Sequence, residues 1–200
     1  MKSSFIILLF FCVGIALGAS EAVPEGLSID DVSFFALCGL MLCVGVTIGN
    51  DREMLRRFRS LNPRIALLPV FTIAGTLAGS LAASMLLPHH GTAEVLAIGS
   101  GLGYYSLSSI LITDVFGAET GTIALVANIL RELITLLFAP LLVRLFGTFA
   151  PISAGGATTA DTTLPAIVGS SGTQYSILAV YHGCATDFCV PFLVTLFCSL

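Results

Sequence analysis

The stretch of this 200-residue chain that is most informative about its fold is residues 155–165, GGATTADTTLP. They place a glycine pair, four threonines and one acid between two apolar segments. Pro165 stops a helix from continuing through the stretch, and the glycine pair loosens its entry. At bilayer depth a carboxylate costs roughly 3 kcal/mol on insertion scales. Asp161 is therefore expected to face a cavity, a partner or a substrate.

The composition is that of an integral membrane protein. Hydrophobic residues make up 56% of the chain and charged residues 10%, whereas a soluble domain is about 25% charged. The length fits a single membrane-transport domain over residues 1–200. There is no basic tract for nucleic acid. The six cysteines lack CxxC or Cys/His spacing, so that neither a metal site nor a disulfide framework is indicated.

Seven apolar segments follow one another along the chain. Five are predicted to span the membrane, and two are interrupted by glycine, serine and threonine. The first, residues 3–19, resembles a signal peptide, but we expect it to remain in the mature protein. The charge distribution places Lys2 on the cytoplasmic side, which is what an uncleaved first helix requires. The predicted spans are 3–19, 32–49, 64–87, 122–146 and 174–200, and the interrupted segments are 94–113 and 150–168.

The distribution of charge orders these segments. The basic loop at residues 52–64 is placed in the cytoplasm, and the acidic loop at residues 21–31 outside. If the segment 94–113 enters the membrane and returns to the same side, every basic residue except Arg131 lies on the cytoplasmic side. The resulting fold is an all-α integral membrane protein with about five full transmembrane helices and two opposed re-entrant broken-helix hairpins. Its N-terminus is expected on the cytoplasmic side of the membrane and its C-terminus on the outer side. Two ordinary glycine-rich spans remain the alternative.

The first interrupted segment contains GSGLGYYSLSS at residues 99–109. Its glycines let the chain turn and let the backbone approach a ligand, and its hydroxyl groups replace lost backbone partners or bind an ion. Close helix packing by small residues is the alternative. The candidate site residues here are Gly101, Gly103, Ser106 and Ser108, with Tyr104 and Tyr105 as possible accessories.

The following helix carries a polar cluster. Asn128 and Glu132 lie four residues apart and share a face. Arg131 points about 100° away from Glu132, so it is free to pair with Asp161 or with a backbone carbonyl. Substrate or proton binding by these three residues is predicted, and a structural arginine–acid pair is the alternative.

The second interrupted segment supplies the other predicted acid, Asp161. Its neighbours Thr158, Thr159 and Thr162 are candidate ligands, and Gly155 and Gly156 are the candidate hairpin glycines. Such a cluster is hard to explain by packing alone.

The last apolar segment contains His182 and a third acid, Asp187. Both are possible accessory residues. His182 is interpreted either as a proton carrier, since histidine titrates near neutrality, or as a hydrogen-bonded structural residue.

Taken together, these segments resemble the bacterial lysine exporters of the LysO type. The resemblance is found in Gly101–Ser108, in Asn128 with Arg131–Leu133, in Gly156–Thr159 with Asp161 and Thr163–Pro165, in His182–Gly183 and in Val190–Pro191. It implies export of L-lysine and toxic lysine analogues, with the acid pair Glu132 and Asp161 needed for transport.

The chain differs from that family in two respects. Single-chain members carry further helices before the matching part, which implies a small separate membrane subunit that supplies them. Asp187 stands where other members have a neutral residue, which leaves the exact substrate open.

The mechanism predicted for these residues is the exchange of protons for a cationic substrate. Two acids in a low-dielectric cavity attract the ammonium groups of lysine, and a hairpin end receives its carboxylate. One acid takes a proton when the site is empty, so that protons exchange for substrate without a cofactor. Export of another cationic amino acid or organic cation, and a non-transporting scaffold subunit, remain alternatives. An intramembrane aspartyl protease is disfavoured, because neither acid has the Tyr-Asp or Gly-x-Gly-Asp setting, and no enzyme activity is expected.

Overall fold

The computed structural model describes residues 63–200 and six isolated positions, which are Val13, Phe35, Gly39, Leu42, Val46 and Arg56. The chain divides into two compact units, Met1–Asp51 and Arg52–Leu200. The six isolated positions are all helical. Apart from the five of these positions that fall within them, the predicted spans 3–19 and 32–49 lie outside the described residues. The single domain over residues 1–200 stays a prediction.

The second unit is helical from residue 63 onward, where we start numbering. No strand occurs within residues 63–200, which confirms the all-α prediction for this part. The elements are α1 Pro63–Ala66, α2 Leu68–Ser84, α3 Thr92–Gly99, α4 Tyr105–Phe116, α5 Ala118–Phe146, α6 Ala150–Gly155, a 3₁₀ segment Gly156–Ala160, α7 Leu164–Ser171, a 3₁₀ turn Thr173–Tyr175, and α8 Ser176–Cys198.

Two of these helical stretches are long and apolar enough to cross a membrane, Ala118–Phe146 and Thr173–Cys198. Only 17% and 39% of their most apolar windows is buried within the chain. Their apolar surface therefore points mostly outward, as expected of helices that face lipid. The number of membrane crossings stays a prediction.

Both segments predicted to be interrupted are interrupted. Residues 94–113 form the end of one helix, α3, and the start of another, α4, and residues 150–168 form α6, the 3₁₀ segment and part of α7. The first interruption contains Leu102 at φ 47° and Gly103 at φ 97°, which a continuing right-handed helix excludes. The second begins at Gly156, at φ 62° and ψ −126°. Re-entry from opposite faces stays a prediction.

Element boundaries differ from prediction by a few residues. The predicted span 64–87 is divided into α1 and α2 at Leu67, with Pro69 in the first turn of α2. Helix α5 begins at Ala118 rather than Thr122, because Gly117 at φ 89° ends α4 immediately before it. Both long helices continue through an internal proline, Pro140 in α5 and Pro191 in α8.

A small apolar core holds α6, α7 and α8 together. It consists of the buried side chains of Ile152, Ile167, Leu178 and Ala179. Burying a side chain as large as isoleucine or leucine stabilises the packed state by about 1.5–3 kcal/mol. This core fixes the end of α6, and so places the 3₁₀ segment that follows it.

Candidate functional site

The two interruptions lie against each other. The backbone N–H of Ala157, in the second, donates a 2.9 Å hydrogen bond to the carbonyl oxygen of Leu102, in the first. A Cβ atom added at Gly156 would overlap that same carbonyl oxygen, and one added at Gly103 would lie 3.1 Å from the carbonyl oxygen of Gly155. Both positions therefore require glycine for their backbone conformation, and Gly156 requires it for space as well.

Asn128 of α5 fixes the first interruption. Its Oδ1 accepts a 2.7 Å hydrogen bond from the buried N–H of Gly103, and its Nδ2 donates 2.8 Å to the carbonyl of Ala124. Longer contacts of 3.5 Å lead from Nδ2 to Ser108 and Ile98. The side chain of Asn128 therefore satisfies a backbone group that the broken helix leaves without a partner.

Arg131 fixes the approach to the second interruption. Its Nε donates 2.7 Å to the carbonyl of Ala154 and its Nη2 donates 2.9 Å to the carbonyl of Ser153, both at the end of α6. Its Nη1 donates 3.3 Å to the hydroxyl of Thr76 in α2. Arg131 therefore bonds backbone carbonyls rather than Asp161, and it forms no ion pair with an acid of the described residues.

The 3₁₀ segment is tied to α8 and α2 through His182, which is fully buried. One ring nitrogen, Nε2, lies 2.9 Å from the hydroxyl of Thr72, and the other, Nδ1, lies 3.4 Å from that of Thr159. Thr159 also donates to the carbonyl of Ala179 at 2.8 Å. The position of His182 between three elements fits the structural interpretation of this histidine.

The predicted acid pair has no basic partner. Glu132 is half-buried and forms no hydrogen bond or ion pair with residues 63–200. Asp161 is exposed at the end of the 3₁₀ segment, and its Oδ1 accepts hydrogen bonds from the N–H and, at 3.1 Å, the hydroxyl of Thr162. No hydrogen bond joins Glu132 to Asp161, so their pairing stays a prediction.

Asp187 of α8 lies within electrostatic range of Asp161. The two carboxylates are near enough for their charges to interact, and the charge of Asp187 also acts on Tyr104. This proximity follows from the contact of α8 with the 3₁₀ segment, where a Cβ atom at Gly183 would overlap the backbone nitrogen of Ala160. Asp187 thus lies with the predicted site.

The remaining predicted hydroxyl residues fall into two groups. Thr158 and Ser108 are buried and donate to the backbone, Thr158 to Gly155 at 2.9 Å and Ser108 to Tyr104 at 2.8 Å. Ser106 and Tyr105 are exposed on the first turn of α4. The buried group supports the broken backbone, and the exposed group is free to meet a ligand.

A cavity of about 440 Å³ lies beside Arg131, between α2, α3, α5 and α6. A second cavity of about 350 Å³ shares its residues Thr76 and Ala154. The first is lined by Thr76, Ile98, Gly99, Ala127, Asn128, Leu130, Arg131, Ile134 and Ala154. Sequence reasoning missed Thr72 and Thr76, although two threonines one turn apart in an apolar helix were a usable signal.

Comparison with known proteins assigns the family. The model of a family described as lysine exporter LysO matches residues 8–198. A putative lysine exporter of Haemophilus influenzae is 30% identical over 168 residues, which are 84% of each chain. Lysine exporter LysO of Escherichia coli is 33% identical over 189 residues, which are 92% of this chain but 60% of that protein. No solved structure matches. The chain belongs to the lysine exporter LysO family.

Proposed function

We propose that this chain exports L-lysine and toxic lysine analogues from the bacterial cytoplasm, in exchange for protons. The names of both relatives support amino-acid export. The observation that carries the proposal is a set of three acids without a basic partner within residues 63–200, close to two interrupted helices that are bonded together. A carboxylate at membrane depth is costly unless it binds a cation, pairs with another group or faces a water-filled cavity.

Asp161 and Asp187 are the groups that attract the substrate. Their charges already interact, so a cation between them relieves mutual repulsion as well as gaining attraction. Two neighbouring carboxylates repel each other when both are ionised. A proton therefore replaces the departing cation, which couples export to proton entry. Glu132, half-buried on α5, is the further acid in this scheme.

The interrupted helices provide the framework for transport. Opposed broken helices near the membrane midplane are a common way to build a transporter site. The hydrogen bond from Ala157 to Leu102 joins the interruptions, and we place them at that depth. Five spans, two re-entrant hairpins and an N-terminus inside the cell complete the proposed topology.

Growth rescue tests this function. A bacterium that lacks its lysine exporter is challenged with a toxic lysine analogue and given the chain, with and without a neighbouring small membrane protein. Wild type should restore growth, and Glu132→Gln and Asp161→Asn should fail to restore it at equal membrane abundance. Growth that is restored equally by all three would support the scaffold alternative and contradict the proposal.

A second candidate is export of another cationic amino acid or organic cation. The charge of Asp187 within electrostatic range of Asp161 favours it, because a further negative charge at the site changes the number and spacing of cationic groups that bind well. Competition of arginine and ornithine against labelled lysine separates the two. Lysine should compete best under the main proposal, and a stronger competitor would favour the second.

A further inference from the structure

Arg131 is a cation whose charge is not neutralised. Its three hydrogen bonds go to the carbonyls of Ser153 and Ala154 and to the hydroxyl of Thr76. No carboxylate of the described residues lies within 4.0 Å of it, although Glu132 is the next residue. An arginine inside an apolar segment without an acid is a costly arrangement, and an anion that binds there would be stabilised.

The Arg131 guanidinium has N–H groups that form no hydrogen bond with residues 63–200. Arginine has five N–H groups, and Nε, Nη1 and Nη2 of Arg131 each use one. One N–H therefore remains on each terminal nitrogen. A guanidinium can bind both oxygens of a carboxylate through two parallel N–H groups, which distinguishes arginine from lysine as an anion-binding residue.

These donors belong to a residue that lines a cavity. The cavity of about 440 Å³ places Arg131 with the polar side chains of Thr76 and Asn128 and the apolar side chains of Ile98 and Leu130. A site with one charged group, two polar groups and apolar walls suits a small amphipathic anion.

Arg131, which lines the cavity, is followed in the sequence by a predicted cation-binding residue, Glu132. Arg131 and Glu132 are adjacent in α5, on faces that differ by about 100°. One helix thus presents an anion-binding and a cation-binding group at neighbouring positions. A substrate that carries both a carboxylate and an ammonium group matches this arrangement.

We propose that Arg131, in the cavity between α2, α3, α5 and α6, binds the α-carboxylate of the exported amino acid. The proposal rests on the proposed function, and it adds the group that distinguishes an amino acid from a simple diamine. Arg131 is then a specificity residue: it selects for the carboxylate, whereas the acids select for the ammonium groups.

Binding to purified protein tests this inference. Dissociation constants are measured for lysine, for lysine amide, which keeps the shape but loses the negative charge, and for 1,5-diaminopentane. Wild type should bind lysine at least roughly tenfold more tightly than the amide, a difference of about 1.4 kcal/mol. In Arg131→Gln this preference should disappear, through weaker lysine binding, while the affinity for the two cations stays within about twofold of wild type.

The adjacent acid provides the matched control. Glu132→Gln should weaken all three ligands together and keep the preference for lysine over its amide. An equal loss for every ligand in Arg131→Gln would overturn the inference, since that is the result of a structural role alone. If that variant does not fold, a wild type that binds lysine amide as tightly as lysine overturns it equally. A wild type that binds none of the three contradicts the proposed function itself.

Discussion

The N–H of Ala157 donates to the carbonyl oxygen of Leu102 across 2.9 Å, so that the two interrupted helices of this protein are bonded backbone to backbone. Neither residue lies in a regular α-helix, because Leu102 has a positive φ and Ala157 belongs to the 3₁₀ segment. Each interruption supplies the hydrogen-bonding partner that the other needs.

Gly156→Ala should disrupt this junction. The added Cβ would overlap the carbonyl oxygen of Leu102, and the backbone conformation of Gly156 is one that alanine rarely adopts. We expect the free energy of unfolding in detergent to fall by more than about 2 kcal/mol and transport to be lost. Gly169→Ala is the matched control, because nothing lies within 4 Å of its Cβ position in α7. Equal stability of both variants would contradict the close contact.

Asn128→Ala should leave the buried N–H of Gly103 without its partner. The expected loss of stability is about 1–3 kcal/mol, as for other unsatisfied buried donors. Thr122→Ala, in the same helix, removes an exposed hydroxyl that bonds the carbonyl of Ala118, and should change stability by about 0.5 kcal/mol or less. Chemical unfolding of both variants in the same detergent gives the comparison. A harmless Asn128→Ala would show that Asn128 does not hold the first interruption.

His182→Gln distinguishes a structural histidine from a proton carrier. Because both ring nitrogens contact threonine hydroxyls, we expect lower thermal stability but an unchanged shape of the transport rate against pH. His89→Gln, in the exposed turn after α2, should change neither. A variant that transports lysine with its pH dependence removed would assign proton transfer to His182 instead.

The charges of Asp161 and Asp187 should act together. Lysine affinity is measured for Asp161→Asn, Asp187→Asn and the double variant. We expect the effects to be non-additive by at least about 0.5 kcal/mol, as is usual for interacting residues. Asp114→Asn, exposed near the end of α4, should combine additively with Asp187→Asn. Additivity in the first cycle would place the two carboxylates in separate environments.

Part of this fold could be predicted from the sequence. Glycine marks positions where the backbone leaves right-handed helical space, so Gly103 and Gly156 located both interruptions. Leu102, at φ 47°, carries no such mark because it is not a glycine. The early start of α5 was missed because the apolar pattern begins only after its polar first turn.

The arrangement of the site was less predictable, for reasons that concern the backbone. Arg131 bonds the carbonyls of Ser153 and Ala154, and carbonyl groups have no signature in a sequence. Asp187 comes within electrostatic range of Asp161 where α8 packs against the 3₁₀ segment at Gly183, and the sequence alone does not give that register. Candidate residues could be predicted from their chemistry, but their partners could not.

Lysine uptake into inside-out membrane vesicles tests the central claim most directly. With an imposed pH gradient that is acidic inside the vesicle, wild type should accumulate labelled lysine, and dissipating the gradient should stop it. Glu132→Gln and Asp161→Asn should accumulate none at equal protein abundance. Accumulation that ignores the gradient, or that proceeds unchanged in both variants, would contradict proton-coupled export by these acids.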